Sequence, residues 1–258
     1  MSNDILNKDV YLKRMRVGMY DKCWWVDKLY PEVDTVIDFG CADGSLWEAI
    51  KILCPQITKY YGIENNKEFL DNKSFLHFSS IEELPQDINW NHTIVVMNSV
   101  IHEICYYQGE AAFRELFKKI QGLGVRHIAI RDMCLNVEEY FYLKSSNNFL
   151  YEAICNSSYK DLFIKDYCHN IPAFYGNILY QIEFLLKYTY KENWNRERDE
   201  QYLWDWLGCI MSDIFSMRIE VNQPFRIVPQ IRQIEKDFGF KFPEFLNTHR
   251  KMFLTKEN

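Results

Sequence analysis

Three carboxylates surround a knot of small residues in the stretch "VIDFGCADGS" and its continuation. Asp38 stands two residues before Gly40, Asp43 sits inside the turn made by Gly40, Ala42 and Gly44, and Glu64 follows Gly44 by twenty residues. Small residues at such a turn let a ligand approach the backbone, and a helix starting just after it offers N–H groups without internal partners. A phosphate would face Asp38 and Asp43 at short range and be repelled, whereas a cationic amino-acid group would be attracted. Glu64 is placed to hold the paired hydroxyls of a ribose. The chemistry implied is recognition of a nucleoside carrying a positive charge. A dinucleotide fingerprint G-x-G-x-x-G laid on Gly40 would put Ala42 and Ser45 at its later glycines. Size alone leaves that reading open, and the acids decide against it.

A second group of reactive side chains follows. Asn98, Ser99, His102 and Glu103 come at the end of the apolar run in "HTIVVMNSVIHEI", and Arg131 and Asp132 end "VRHIAIRDM". His102 suits a general base because an imidazole titrates near neutrality, with Glu103 and Asp132 as alternatives. A hydrogen-bonded structural histidine is the other reading. A His beside a Glu also suits metal ligation, but adjacent residues on a strand or helix point apart, so no metal site is expected. Tyr188, Tyr190 and Trp194 form a third group, in which Tyr188 or Trp194 could stack on a substrate ring or simply pack.

These residues need elements to position them. "DTVIDF" is β-branched and apolar, as expected of a central strand covered on both faces. After the turn, Leu46, Ala49, Ile50, Leu53 and Cys54 recur at helical spacing, and Pro55 marks the far end. "KYYGIE" predicts a second strand ending in Glu64, "SFLHFSSIEELP" a third followed by a loop, "HTIVVMNSV" a fourth and "VRHIAIRDM" a fifth. Near the C-terminus "IVPQIRQIEKDFG" is an amphipathic helix, and "FKFPEFLNTHRKMFLTK" fits two strands joined by a short connection. Ligands of open α/β sheets bind outside the carboxyl ends of the strands, which is where the candidate residues of the first two groups fall.

Strand, acid-bearing glycine turn, helix and second acid together resemble the cofactor site of class I S-adenosylmethionine (SAM) methyltransferases. The resemblance covers about residues 33–134 and 226–256. It implies a doubly wound, mostly parallel seven-stranded sheet with an antiparallel C-terminal strand, and a domain of 1–134 plus 226–258. It also implies that Asp38, Gly40, Ala42, Asp43 and Gly44 contact the methionine part of SAM, with Ala42 replacing the usual middle glycine. Glu64 would hold the ribose, Ser80 and Ile81 would border the adenine, and Asn98 would complete the cofactor set. Residues 135–225 form a helical insertion after strand five, rich in aromatic residues, expected to fold over the catalytic mouth as a lid. "FLLKYTYKENWNRERDEQYL", "DKCWW" and "FGCADG" are also similar to a group of bacterial methyltransferase-like proteins.

Composition narrows the acceptor. The 258 residues are 48% hydrophobic and 16% aromatic, with a formal net charge of −6. That balance gives no footprint for non-specific nucleic-acid binding, and "YLKRMR" is the one compact basic run. The Asn-Pro-Pro-aromatic run of many amino-methylating DNA enzymes is absent after strand four, where the chain reads "MNSVIHE". The expected reaction is methyl transfer to an oxygen or nitrogen of a small molecule enclosed by the lid. An RNA or tRNA acceptor is the alternative, disfavoured by charge, and a non-catalytic SAM-binding module acting through protein partners is a third. A nicotinamide-dependent oxidoreductase is the reading the turn acids oppose. The eight cysteines are spread singly without a C-x-x-C pair, as reduced thiols would be. No signal-peptide pattern and no run near about 18 apolar residues are present, so a cytoplasmic protein without membrane spans is expected.

Overall fold

The computed structural model describes residues 8–66, 69, 75–135, 149–170, 178–200, 202, 210, 213, 216–244 and 246–257. Its centre is a seven-stranded sheet with the order β3-β2-β1-β4-β5-β7-β6. The strands are β1 Thr35–Phe39, β2 Lys59–Ile63, β3 Leu76–Phe78, β4 Thr93–Asn98, β5 His127–Met133, β6 Met217–Phe225 and β7 His249–Lys256. All five residues of β1 and all six of β4 are buried. This is why "TVIDF" and "TIVVMN" read as continuous β-branched or apolar runs instead of alternating ones.

β1 pairs in parallel with β2 on one side and β4 on the other, and β3 and β5 extend the parallel set. The last two strands break the pattern. Lys256 N–H donates to the Arg126 carbonyl and Cys134 N–H to the Thr248 carbonyl, a crossed numbering that makes β7 antiparallel to β5. Thr248 N–H to Phe225 and Glu257 N–H to Ser216 make β6 antiparallel to β7 in the same way. The chain therefore winds outward from β1 to β3, crosses back to β4 and winds the other way. Between β1 and β4 lies the reversal point of the sheet, where open α/β folds bind ligands.

Three helices border the turn after β1: α1 Lys8–Arg16, α2 Met19–Lys22 and α3 Ser45–Leu53. α3 buries Leu46, Ala49 and Ile50 in a core with Val36, Tyr60, Ile94 and Phe253. Leu53, expected on that face, is instead 39% exposed. α4, Ile101–Gln108, and α5, Glu110–Gly122, follow β4.

The segment "FKFPEFLNTHRKMFLTK" yields one strand, β7, where two were expected. Residues 241–243 and 246–248 belong to no regular element. The antiparallel partner is β6, which lies within the segment expected to be helical insertion. Its exposure alternates along the first part of "MRIEVNQPF" as in a strand with one wet face.

By its internal contacts the chain divides into two compact units. The first gathers Lys8–Asp132, Trp206–Gln223 and Lys251–Asn258, and the second Met133–Asp205 and Pro224–Arg250. The second is helical, built on Phe149–Cys155, a π-helical turn at Leu162–Tyr167, and helices Ile178–Lys187, Trp194–Asp199 and Val228–Phe238. Helix Val228–Phe238, grouped from sequence with the cofactor domain, shares one core with Phe163, Phe184 and Tyr188. Among the described residues no helix is long and apolar enough to cross a membrane, and seven cysteines are free thiols.

Candidate functional site

The turn after β1 folds against the end of β2. Gly40 N–H donates to the Ile63 carbonyl at 2.9 Å, and Gly44 N–H to the Cys41 carbonyl at 2.8 Å. Gly40, Ala42 and Gly44 all have positive φ, at 71°, 45° and 71°. Ala42 thus adopts a backbone that L-residues with a Cβ enter only at a cost. Part of that cost is offset by Glu64, whose Oε2 accepts the Ala42 N–H at 3.1 Å while Oε1 accepts the Asn66 N–H at 2.8 Å. The acid expected to hold a ribose also clamps the turn.

The glycines make room, but part of the room is already filled. A Cβ at Gly44 would lie 1.8 Å from Cε1 of Phe75, and one at Gly40 would lie 2.9 Å from Cγ2 of Val100. Gly62 on β2 accommodates the Cys41 thiol and the other edge of the Phe75 ring. Phe75, unremarkable as a letter in the sequence, is therefore wedged against the turn. It packs edge-on against Tyr60, which stacks on Trp47.

The two aspartates differ. Asp38 is 3% exposed and accepts a hydrogen bond from the Tyr60 hydroxyl. Burial raises its pKa to about 7, opposed by the Tyr60 bond and the Lys22 charge and assisted by Glu64. Asp43 is instead committed locally. Its Oδ2 accepts from Arg16 at 2.7 Å, and its Oδ1 accepts the Ser45 N–H at the start of α3. Burial pushes its carboxyl up, but the bonds from Arg16 and Ser45 outweigh this and hold it below the usual range.

At the reversal point, Asn98 ends β4 in register with Arg131. Its side chain is buried, and neither the amide nitrogen nor the amide oxygen has a hydrogen-bond partner. Such a group costs stability in a folded protein unless something else pairs with it. Ser99, next in the chain, has φ 56° and donates its N–H to the Arg131 carbonyl. Ser80 precedes a short 3-10 turn, Ile81–Glu83, in which Ile81 is buried. Both follow β3, at the same end of the sheet as the turn.

His102 and Asp132 form a buried pair. Nδ1 of His102 lies 2.7 Å from Oδ1 of Asp132, and the two side chains are 4% and 0% exposed. Oδ2 of Asp132 accepts the N–H groups of Ile101 at 2.6 Å and His102 at 3.3 Å, at the start of α4. Against a carboxylate oxygen, which only accepts, Nδ1 is the ring nitrogen placed to donate. Glu103, next on α4, is partly exposed.

Tyr188 and Trp194 sit in the helical unit as packing residues. Tyr188 is 1% exposed, meets Phe238 edge-on and donates its hydroxyl to Asp237 at 2.7 Å. Trp194 packs with Tyr167 and Phe184 and donates Nε1–H to Asp166 at 2.7 Å. The buried Tyr188 ring has no face available for stacking a ligand.

α1 and α2 also reach the site, although no candidate residue was expected on them. Arg16 pairs with Asp43, and Met15, Met19 and Lys22 line a small cavity with Asp38, Gly40 and Asn98. Met15 and Arg16 belong to the basic run "YLKRMR" and Lys22 to the motif "DKCWW", with Met19 between them, but nothing local marks them as neighbours of the turn.

No protein-family model matches the chain, and no curated protein sequence does. Among solved structures, it is similar to the plantazolicin methyltransferase BamL in complex with a triazolic desmethylPZN analogue and SAH, at 10% identity and TM-score 0.48, covering 95% of this chain and 85% of that one. It is also similar to the methyltransferase domain of bacterial CtHen1, at 12% identity and TM-score 0.48, covering 95% and 99%. An O-methyltransferase family protein from Burkholderia thailandensis is 11% identical with TM-score 0.47, covering 97% of this chain and 59% of that one.

Proposed function

We propose that the chain is a SAM-dependent methyltransferase that methylates an oxygen or nitrogen of a small molecule. The observation that carries the reading is the Asn98 amide, buried with both polar atoms unpaired, beside Asp38 and the strained turn at the reversal point of the sheet. A purely structural turn has no use for an unpaired amide there.

In this reading Asp38 receives the amino group of the cofactor, and Glu64, oriented by its bonds to Ala42 and Asn66, receives the ribose hydroxyls. Ser80 and Ile81 border the adenine. SAM, when bound, supplies a methyl group on a sulfonium for in-line transfer to a nucleophile. His102 takes the proton from the acceptor at Nε2 while Asp132 holds Nδ1–H and stabilises the imidazolium. The net charge of −6 offers no cationic surface to gather a polyanion, which favours a small acceptor over RNA.

The test is transfer of labelled methyl from SAM into separated low-molecular-weight and RNA fractions of a cell extract. Label is expected in the former; label confined to RNA would overturn the acceptor class. With the acceptor in hand, His102→Ala should slow single-turnover transfer by about 10²–10⁴-fold, the range of general-base catalysis. S-adenosylhomocysteine (SAH) affinity should be retained in that variant.

A further inference from the structure

The cavity beside the turn contains a cation with no assigned task. Lys22 lines it together with Asp38, Gly40 and Asn98. Among the described residues its ammonium hydrogen-bonds only the Met15 carbonyl, at 3.1 Å, and it forms no ion pair with a carboxylate. One neutral acceptor leaves two of its three donors to other partners. Across the same space the Asn98 amide is unpaired at both ends, and its NH₂ is a second donor.

The position of Lys22 is fixed by its neighbour. Asp21 accepts Arg131 through Nε at 2.9 Å and Lys251 through Nζ at 2.7 Å, which ties α2 to the ends of β5 and β7. α2 is thus a fixed wall of the cavity. A cation and an amide donor line the cavity, together with a buried carboxylate, Asp38. That set is the complement of a zwitterion.

We propose that Lys22 and the Asn98 amide bind the α-carboxylate of the cofactor's amino-acid end, while Asp38 takes its α-ammonium. This rests on the reading of the turn as a SAM site and adds a carboxylate subsite supplied in part from the N-terminal helices. Burial pulls the Lys22 ammonium down to about 8, with Arg131 adding to the shift and Asp38 and Asp43 opposing it. A ligand carboxylate would restore what burial removes.

The test is calorimetric binding of SAH and of its decarboxylated analogue, S-adenosyl-3-thiopropylamine, to wild type, Lys22→Gln and Lys22→Arg. Wild type should prefer SAH by about tenfold or more, the scale of one charge-assisted hydrogen bond. Lys22→Gln should reduce that preference to about twofold by weakening SAH alone, and Lys22→Arg, which keeps the charge, should retain most of it. Equal weakening of both ligands in Lys22→Gln would mark a structural role and overturn the subsite. So would an unchanged preference. Wild type that binds both ligands alike sinks the subsite and leaves the SAM reading standing; wild type that binds neither sinks both.

Discussion

The turn of the sheet unit and the aromatic cluster of the helical unit treat their polar groups in opposite ways. Around the turn, Asp38 is buried with its pKa raised to about 7, Asn98 is unpaired at both amide atoms, and Ala42 and Ser99 hold positive φ. In the helical unit the candidate residues and a buried cation are paired off. Tyr188 bonds Asp237, Trp194 bonds Asp166, and the fully buried Lys187 bonds Glu183 at 2.6 Å. The exceptions in that unit include the Tyr167 hydroxyl and the side-chain amide oxygens of Asn193 and Gln230, each buried without a hydrogen-bond partner, although the amide nitrogens of Asn193 and Gln230 are bonded. What sets the turn apart is the coincidence of two positive-φ residues that are not glycine, a buried acid and an amide unpaired at both ends, a combination that a ligand can complete. The difference separates two regions that look equally rich in chemistry when read as a string.

The most damaging single change should fall on the turn. Gly44→Ala combines a left-handed backbone, costing about 1–2 kcal/mol, with overpacking against Phe75 of about 1–3 kcal/mol. Urea unfolding should show the sum. Adding Phe75→Leu should recover the packing part and leave the backbone part. A Gly44→Ala protein as stable as wild type would remove the claim that the turn is constrained.

Next comes the aromatic cluster. Trp194 is half-buried, so Trp194→Ala should cost somewhat less than the ~3–5 kcal/mol of a fully buried Trp, read as a fall in Tm. SAH affinity in the folded protein should not change. A large loss of ligand or substrate affinity without loss of Tm would return Trp194 to the role of a substrate platform and collapse the contrast.

Asp38 sharpens the other side. Asp38→Asn should weaken SAH by about 1.5–3 kcal/mol, the usual size of a hydrogen bond to a charged group. Its pH behaviour has a fixed sign. Because the native pKa is raised to about 7, the unliganded fold holds a proton that the unfolded chain releases near its ordinary value of 3.8. The stabilisation is therefore complete below the unfolded pKa and is lost as pH rises through about 7. Melting of wild type relative to Asp38→Asn should fall from about pH 5 to pH 8, while wild-type SAH affinity should rise as Asp38 ionises. A flat difference would mean that Asp38 is not held protonated.

The smallest effect is expected at Tyr188. Tyr188→Phe removes the bond to Asp237 and should cost about 0.5–1.5 kcal/mol, read by urea unfolding, with ligand binding untouched.

Much of the site was legible in the string because it is local. "DTVIDF" is apolar almost throughout because β1 is covered on both faces, and the turn and Glu64 follow at spacings set by one strand–helix–strand unit. The His102–Asp132 contact spans thirty residues, yet it was half visible because His102 starts the helix after β4 and Asp132 lies near the end of β5, the parallel neighbour of β4. What escaped depends on tertiary placement. Lys22 and Arg16 are charged residues on short helices, and no periodicity says that α2 reaches the turn. Phe75 matters only because it meets Gly44 and Gly62. β6 was missed because a partly wet strand carries Glu220, Asn222 and Gln223 and ends near Pro224, a pattern that local reading assigns to loop. The second strand expected before β7 did not form, and Pro243 interrupts that segment.

Titration of SAH into the wild-type protein by calorimetry at neutral pH bears most directly on the assignment of the turn as a cofactor site. Binding at about micromolar Kd, a free energy near −8 kcal/mol, is the expected outcome, with affinity reduced in Asp38→Asn and Glu64→Ala. A folded wild-type protein that takes up no SAH, or one whose binding ignores both substitutions, would refute that assignment.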